Sequence, residues 1–180
     1  VGEGAKDRLH RTGLFATVLA AGGHHVTWWT SAFDHFRKRP LGPRGEVLLS
    51  PGLRAILLDG GGYRRNLSLA RFRDHSRIAR AFREAAGHQP APDILVAALP
   101  SLELPVEAVR YGRSRGLPVV LDMRDMWPDI FVEVLPRPLR PLGRLGAAPL
   151  FRQGRQACAG ATAITGITDA FVDWGVARGS

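Results

Sequence analysis

Two periodicities alternate along the chain. Short runs rich in apolar and β-branched residues at His25–Thr30, Asp93–Ala98 and Pro118–Met123 predict strands. Between them, apolar residues recur at three- and four-residue steps and predict helices. Arg8–Ala21 gathers Leu14, Phe15, Val18, Leu19 and Ala21 on one arc, and Gly22-Gly23 stops it. After a basic loop at 31–45, Glu46–Leu49 and Arg54–Leu58 are short strand candidates around Pro51-Gly52, and Gly60-Gly61-Gly62 breaks the pattern. Leu67–Ala86 is the clearest helix. A helix at Leu102–Arg115 ends at Gly116, and helical stretches at Leu139–Ala157 and Asp169–Gly175 flank a last strand at Ala161–Thr165.

This alternation predicts an α/β protein built of βαβ units: a single domain over 1–180 with a mostly parallel sheet flanked by helices. The strands at His25–Thr30, Asp93–Ala98 and Pro118–Met123 are expected in one parallel sheet, with their C-terminal ends along one edge. The first recognisable element is a helix behind a Gly-Glu-Gly loop, so an opening strand is expected ahead of it and missing from the sequence. Ligands of such sheets sit at the carboxyl ends of the strands. That rule selects Thr30–His35, Pro100–Glu103, Asp122–Asp129 and Thr165–Thr168.

Composition narrows the partners. At 45% hydrophobic, the 180 residues can bury a core. Lys+Arg is 25 against Asp+Glu 16, a net +9, and only Lys6 and Lys38 are lysines. Such a charge favours phosphorylated substrates, an acidic bilayer surface or nucleic acid. The arginines are dispersed and carry no zinc-finger, RRM or KH signature, so nucleic acid is not the expected partner. A dehydrogenase or epimerase is the alternative enzyme class, but no G-x-G-x-x-G opens a helix. Cys158 is alone and can form neither an internal disulfide nor a zinc site. No apolar run reaches the roughly 18 residues that span a bilayer.

Candidate chemistry concentrates after the Pro118–Met123 strand. Asp122, Arg124, Asp125, Trp127, Pro128 and Asp129 combine groups for sugar hydroxyls or phosphate with a rigid apolar wall at Trp127-Pro128. Asp122 and Asp125 suggest a metal pair, yet no third ligand adjoins them, and no metal is expected; a strand-end ion-pair cluster is the plain alternative. His35 follows the second predicted strand and either contacts a ligand or caps a loop, and Ser101 lies in another edge segment. His24 and His25 sit at the opposite strand end and read as structural. On Leu67–Ala86, Arg73, Arg77, Arg80 and Arg83 oppose the arc of Leu67, Ile78, Phe82 and Ala85. That basic face is either simply solvated or suited to an anionic membrane. Arg71 interrupts the apolar arc in the first turn, aimed at a ligand or snorkelling to solvent. Arg8 and Arg11 open a helix at the same edge, where the helix dipole favours anions.

Four segments resemble a known family: "RTGLFATVLAAGGHHVTWWTSAFDHFRKR", "YRRNLSLARFRDHSRIARAF", "PDILVAALPSLELPVEA" and "LPVVLDMRDMWPDIF". Together they look like retaining glycosyltransferases of family four, in the branch of fucosamine-type transferases that builds bacterial O-antigen and capsule polysaccharides. The resemblance runs from Gly2 to about Gly175. It implies the N-terminal, acceptor-side half of a GT-B fold, itself Rossmann-like, with no obligatory metal and no cofactor bound by this half. It further implies a nucleotide-diphosphate sugar as donor, held mainly by a second domain with paired glutamates beyond residue 180, so that the chain by itself would be an inactive fragment. The implied acceptor is a glycan or lipid-linked glycan, and the implied location is cytoplasmic or peripheral on the inner face of the cell membrane. Gly2 and Gly4 match the family's loop after the first strand, where glycine lets backbone approach a ligand; an ordinary turn is the equal alternative. Asp125 is the first candidate for catalysis or acceptor positioning, supported by Asp122 and Arg124.

Overall fold

The computed structural model describes residues 11–65, 68–99 and 101–180. The chain divides into two compact units, Val1–Phe82 and Arg83–Ser180. Both are mixed α/β: the first joins one parallel strand pair to antiparallel ones, and the second holds an all-parallel sheet flanked by helices.

In the first unit, α1 (Arg11–Ala21) leads through the Gly22-Gly23 turn into β1 (Val26–Ser31). A two-residue pair, β2 (Phe33–Asp34) with β3 (Arg39–Pro40), folds the basic loop back on itself. β4 (Gly45–Ser50) and β5 (Leu53–Leu58) then form an antiparallel hairpin over Pro51-Gly52. Proline presets the first turn position, and Gly52 takes the left-handed φ of +75° that the second requires. β5 is the central strand, paired parallel to β1 from Val26–Leu53 to Ser31–Leu58. Its Leu53, Ala55, Ile56, Leu57 and Leu58 are all buried. α2 (Leu69–Ala86) supplies Ile78, Ala79 and Phe82 to the core, with Phe82 edge-on to Trp29 at 5.1 Å between ring centroids. The edge-on ring contact stabilises beyond the area it buries.

In the second unit, β6 (Leu95–Leu99), β7 (Val119–Met123) and β8 (Ala163–Gly166) form a parallel sheet in the order β6-β7-β8. α3 (Glu103–Arg115) makes the first crossover and ends at Gly116, whose φ of 67° lets its amide reach back to close the helix. The second crossover holds α4 (Asp129–Glu133), a 3-10 turn at Arg137–Leu139, α5 (Arg140–Gly146) and α6 (Ala148–Gly160), and α7 (Asp169–Gly179) follows β8. Val119, Leu121 and Met123 of the central strand are buried with Val106 and Val109 of α3 and Ala157 and Cys158 of α6. Each large apolar side chain so buried contributes about 1.5–3 kcal/mol.

Helices α3 and α6 touch through a glycine. A Cβ built on Gly160 would overlap the Val109 side chain. Gly160→Ala is therefore expected to cost about 1–3 kcal/mol, as overpacked interiors do. Denaturant unfolding checks this; an unchanged midpoint would show that the helices can part at no cost.

Three expectations are corrected. The strands at His25–Thr30, Asp93–Ala98 and Pro118–Met123 are divided between two hydrogen-bonded sheets: β6 pairs with β7, but β1 pairs with β5, delivered beside it by the Pro51-Gly52 hairpin. In α1, the arc of Leu14, Phe15 and Val18 is exposed, and Gly13 and Ala16 are the buried residues. Small residues let the helix approach β1 and β5 closely. The stretch Leu139–Ala157 is two helices, with Ala147 between α5 and α6 and Pro149 in the first turn of α6, where its missing N–H costs nothing. Among the described residues no helix is long and apolar enough to cross a membrane.

Candidate functional site

The parallel register of β1 and β5 brings Ser31 beside Leu58, so the segments that follow both strands emerge together. After β1, Asp34 accepts hydrogen bonds from the amides of Phe36 (2.8 Å) and Arg37 (2.9 Å). Burial pushes the Asp34 carboxyl up, but these amides and the Arg37 and Arg39 charges outweigh it and hold the carboxyl below its ordinary value. The turn carries Lys38 in the left-handed region (φ 54°), and Nζ of Lys38 comes within 3.4 Å of His35 Nδ1.

After β5, the Gly60-Gly61-Gly62 loop sits on α2. A Cβ on Gly60 would overlap the Asp74 carboxylate, and Gly61 and Gly62 have φ of +91° and +70°. Buried Asp74 accepts the Gly62 amide at 2.7 Å, which fixes the loop that presents Tyr63. Burial, only partly offset by this hydrogen bond, raises the Asp74 carboxyl above its ordinary value.

Tyr63 is the centre of the cluster. Its hydroxyl meets His35 Nδ1, and its ring lies 5.2 Å from Phe33 and 6.4 Å from His75. Lys38 Nζ stands 4.6 Å from the ring centroid and the Arg71 guanidinium 5.8 Å, both within cation–π range. Burial raises the Tyr63 phenol despite Arg71, so it is a donor at neutral pH. Because the phenol and ammonium both donate, His35 Nδ1 is the acceptor and its ring proton belongs on Nε2. Arg71 Nε donates to His75 Nε2 at 3.5 Å. Burial, then the Arg71 guanidinium and the protonated form of His35, push His75 down to about 4. The outcome is a hydrogen-bonded floor flanked by two cations, an arrangement fit for an anionic, hydroxyl-rich ligand such as a phosphorylated sugar.

Two residues expected from the sequence, His35 and Arg71, are thus brought together. Arg11 is the first residue of α1 and is exposed. Gly2, Gly4 and Arg8 lie outside the described residues. Lys38, Tyr63, Asp74 and His75 were not anticipated; the glycine run directly after an apolar strand was the available signal, and it reads first as a mere break.

In the second unit, β7 places its candidates in two environments. Asp122 is buried inside the sheet, in register with Ala98 and Thr165, and accepts the Thr165 hydroxyl at 3.3 Å. Trp127 is also buried, edge-on to Phe131 at 4.5 Å, and precedes Pro128 through a cis peptide bond. It belongs to the core here, which corrects the expectation of an apolar wall for a ligand. Arg124 and Asp125 are half-buried. The Arg124 amide extends the strand pairing to Leu99 O at 3.3 Å, and Asp125 Oδ1 accepts the Met126 amide at 2.9 Å. Ser101 is half-buried just ahead of α3. Asp129 forms an ion pair with Arg178 and accepts Trp174 Nε1 at 3.2 Å, while Arg178 covers the Trp174 ring at 3.7 Å. Asp129 is thereby a tie between α4 and α7. Among the described residues no group of three or more His, Cys, Asp or Glu side chains could hold a metal ion.

No protein-family model matches the chain, and no curated protein sequence does.

Proposed function

We propose that this chain is the acceptor-side, N-terminal half of a GT-B retaining glycosyltransferase, and that the whole gene product transfers a sugar from a nucleotide diphosphate to a glycan or lipid-linked acceptor in surface-polysaccharide synthesis. The observation that carries the reading is the cluster of Lys38, Arg71, His35, His75 and Tyr63 at the carboxyl ends of β1 and β5. Ligands of α/β sheets collect at that edge. Two cations over a hydrogen-bonding floor match the phosphate and hydroxyls of a lipid-phosphate-linked sugar. The donor is bound mainly outside this half.

A transfer assay on the whole gene product tests this, with nucleotide-diphosphate sugars, a soluble pyrophosphate-linked saccharide and the product's anomeric configuration read by NMR. Retention is expected. Arg71→Gln is expected to raise the acceptor KM about 10–100-fold, the usual worth of a charge-assisted hydrogen bond, with kcat nearly unchanged. An unaltered acceptor KM removes this cluster from the acceptor site, and failure to transfer from any nucleotide sugar refutes the class.

The proposed location is the inner face of the cell membrane. Arg73, Arg77, Arg80 and Arg83 of α2 are all exposed, with Arg83 4.0 Å from Glu107. Each arginine near an anionic surface is worth about 1 kcal/mol, and added salt screens it. Changing all four to Gln is expected to weaken co-sedimentation with anionic vesicles, most visibly at low salt. Equal binding by the variant would leave this face merely solvated.

A further inference from the structure

The second unit carries a different surface, which neither the transferase reading nor α2 explains. Between Val134 and Leu145 four large apolar side chains stand in solvent: Val134 is 75% exposed, Leu139 47%, Leu142 66% and Leu145 74%. Isolated exposed leucines need no explanation, but three on one short helical run, preceded by an exposed Val134 at the end of α4, do.

This run is held in place. Gly143 faces inward, since a Cβ there would overlap the Leu135 side chain and approach Val132. Arg140 donates to the carbonyl oxygens of Leu135 (3.2 Å) and Glu133 (3.0 Å), tying the start of α5 to the end of α4. Leu139, Leu142 and Leu145 recur at three-residue steps along the continuous 3-10 turn and α5, so they form one stripe. With α5 seated on α4 through Gly143, Leu142 and Leu145 are turned outward.

Charge identifies the occupant. From Val134 through Thr168 there is no Asp or Glu, while Arg137, Arg140, Arg144, Arg152 and Arg155 all fall in that interval. Arg137 and Arg144 are exposed and stand next to the leucines in the sequence, and the exposed Glu133 is the last acidic residue before the run. A second copy of the same face would set these arginines against one another, because a two-fold contact is self-matching. An apolar stripe edged by arginine instead matches the acyl–headgroup boundary of a bilayer: leucines enter the acyl region and guanidiniums meet lipid phosphates. We propose that the surface of Leu139, Leu142 and Leu145, with Arg137 and Arg144, docks on an anionic lipid bilayer.

Vesicle flotation tests this with phosphatidylcholine vesicles, with and without phosphatidylglycerol, at about 0.1 M and about 0.5 M salt. The wild-type protein is expected to float with the anionic vesicles only. Leu142→Ser/Leu145→Ser is expected to weaken binding about tenfold or more at both salt concentrations, because apolar insertion is not screened. Arg137→Gln/Arg144→Gln is expected to weaken it about tenfold at the lower salt. Circular dichroism confirms folding, and Leu145→Ser alone serves as a second variant should the double one melt early. Transfer to a soluble acceptor needs no bilayer and is expected to persist in the leucine variants, so loss of vesicle binding and failure of the transferase reading are separate results. The proposal is overturned by leucine variants that float like wild type, by equal flotation with neutral vesicles, or by a dimer or an acidic protein complex that the leucine substitutions dissolve in the absence of lipid.

Discussion

Acidification from pH of about 7 to about 4 is expected to cost the fold about 3 kcal/mol through His75 alone, and His75→Gln is expected to abolish that part of the loss. The cause is first burial, then the Arg71 guanidinium and, once it is protonated, His35, which hold the ring at about 4 against an ordinary 6.5. A group with a depressed folded pKa contributes stability that is present above its unfolded value and lost as pH falls through the folded one. The window therefore runs from about 6.5 down to about 4. Protonation would replace the acceptor at Nε2, now facing Arg71 Nε at 3.5 Å, with a second cation. Gln keeps an acceptor in reach of Arg71 and cannot charge. Asp74 works in the opposite sense: its carboxyl is raised by burial, so its contribution is fully present below the ordinary carboxylate value and lost as pH rises through the folded one. For that reason the quantity to measure is the difference between wild type and His75→Gln in denaturant unfolding across pH. The two curves should diverge below about pH 6.5, by more than a hundredfold in the folding equilibrium at about pH 4. Parallel curves would show that His75 titrates normally and that the cluster is open to water.

The strands of the second unit were legible in the sequence, for a physical reason. Buried parallel strands are continuous apolar runs, and the runs Asp93–Ala98 and Pro118–Met123 lie within two residues of β6 and β7. The end of α3 was equally clear, because Gly116 supplies the left-handed cap that only glycine adopts freely. Strand partnership was not legible: which strand lies beside β1 depends on a hairpin whose antiparallel return is local, while its parallel docking is not. The arginines of α2 announced an exposed face by period alone. His75 and Asp74, on the same helix, read as ordinary polar positions, since nothing local reveals that a glycine loop ending at Tyr63 will cover them. Tyr63 and His35 are 28 residues apart, and only the register of β1 with β5 makes them neighbours. Trp127 misled in the other direction. An aromatic at a strand end suits a ligand wall, but the packing of Phe131 consumes its ring.

Among the β7 candidates, Asp125 is expected to carry the largest effect on turnover. Asp122 is buried against Thr165, so its substitution would be read first in stability. Asp125 lies two residues past the strand, half-buried, with Oδ1 engaged by the Met126 amide. That hydrogen bond orients the carboxylate, and a carboxylate has a second oxygen with which to accept a proton or a sugar hydroxyl. Asn preserves the Oδ1 acceptor and the size of the side chain while removing charge and basicity. In the whole gene product, Asp125→Asn is therefore expected to lower kcat by about 10²–10⁴, the usual loss on removing a general base, with the unfolding midpoint unchanged. A general base should also leave its mark on pH dependence: the acidic limb of the wild-type kcat profile should vanish from the residual activity of the variant. Glu at the same position restores basicity on a longer arm and should recover part of the rate. Near-normal turnover in a stably folded Asp125→Asn protein would mean that this carboxylate only holds the turn from Arg124 to Met126, and the catalytic group would then have to be sought on another strand end.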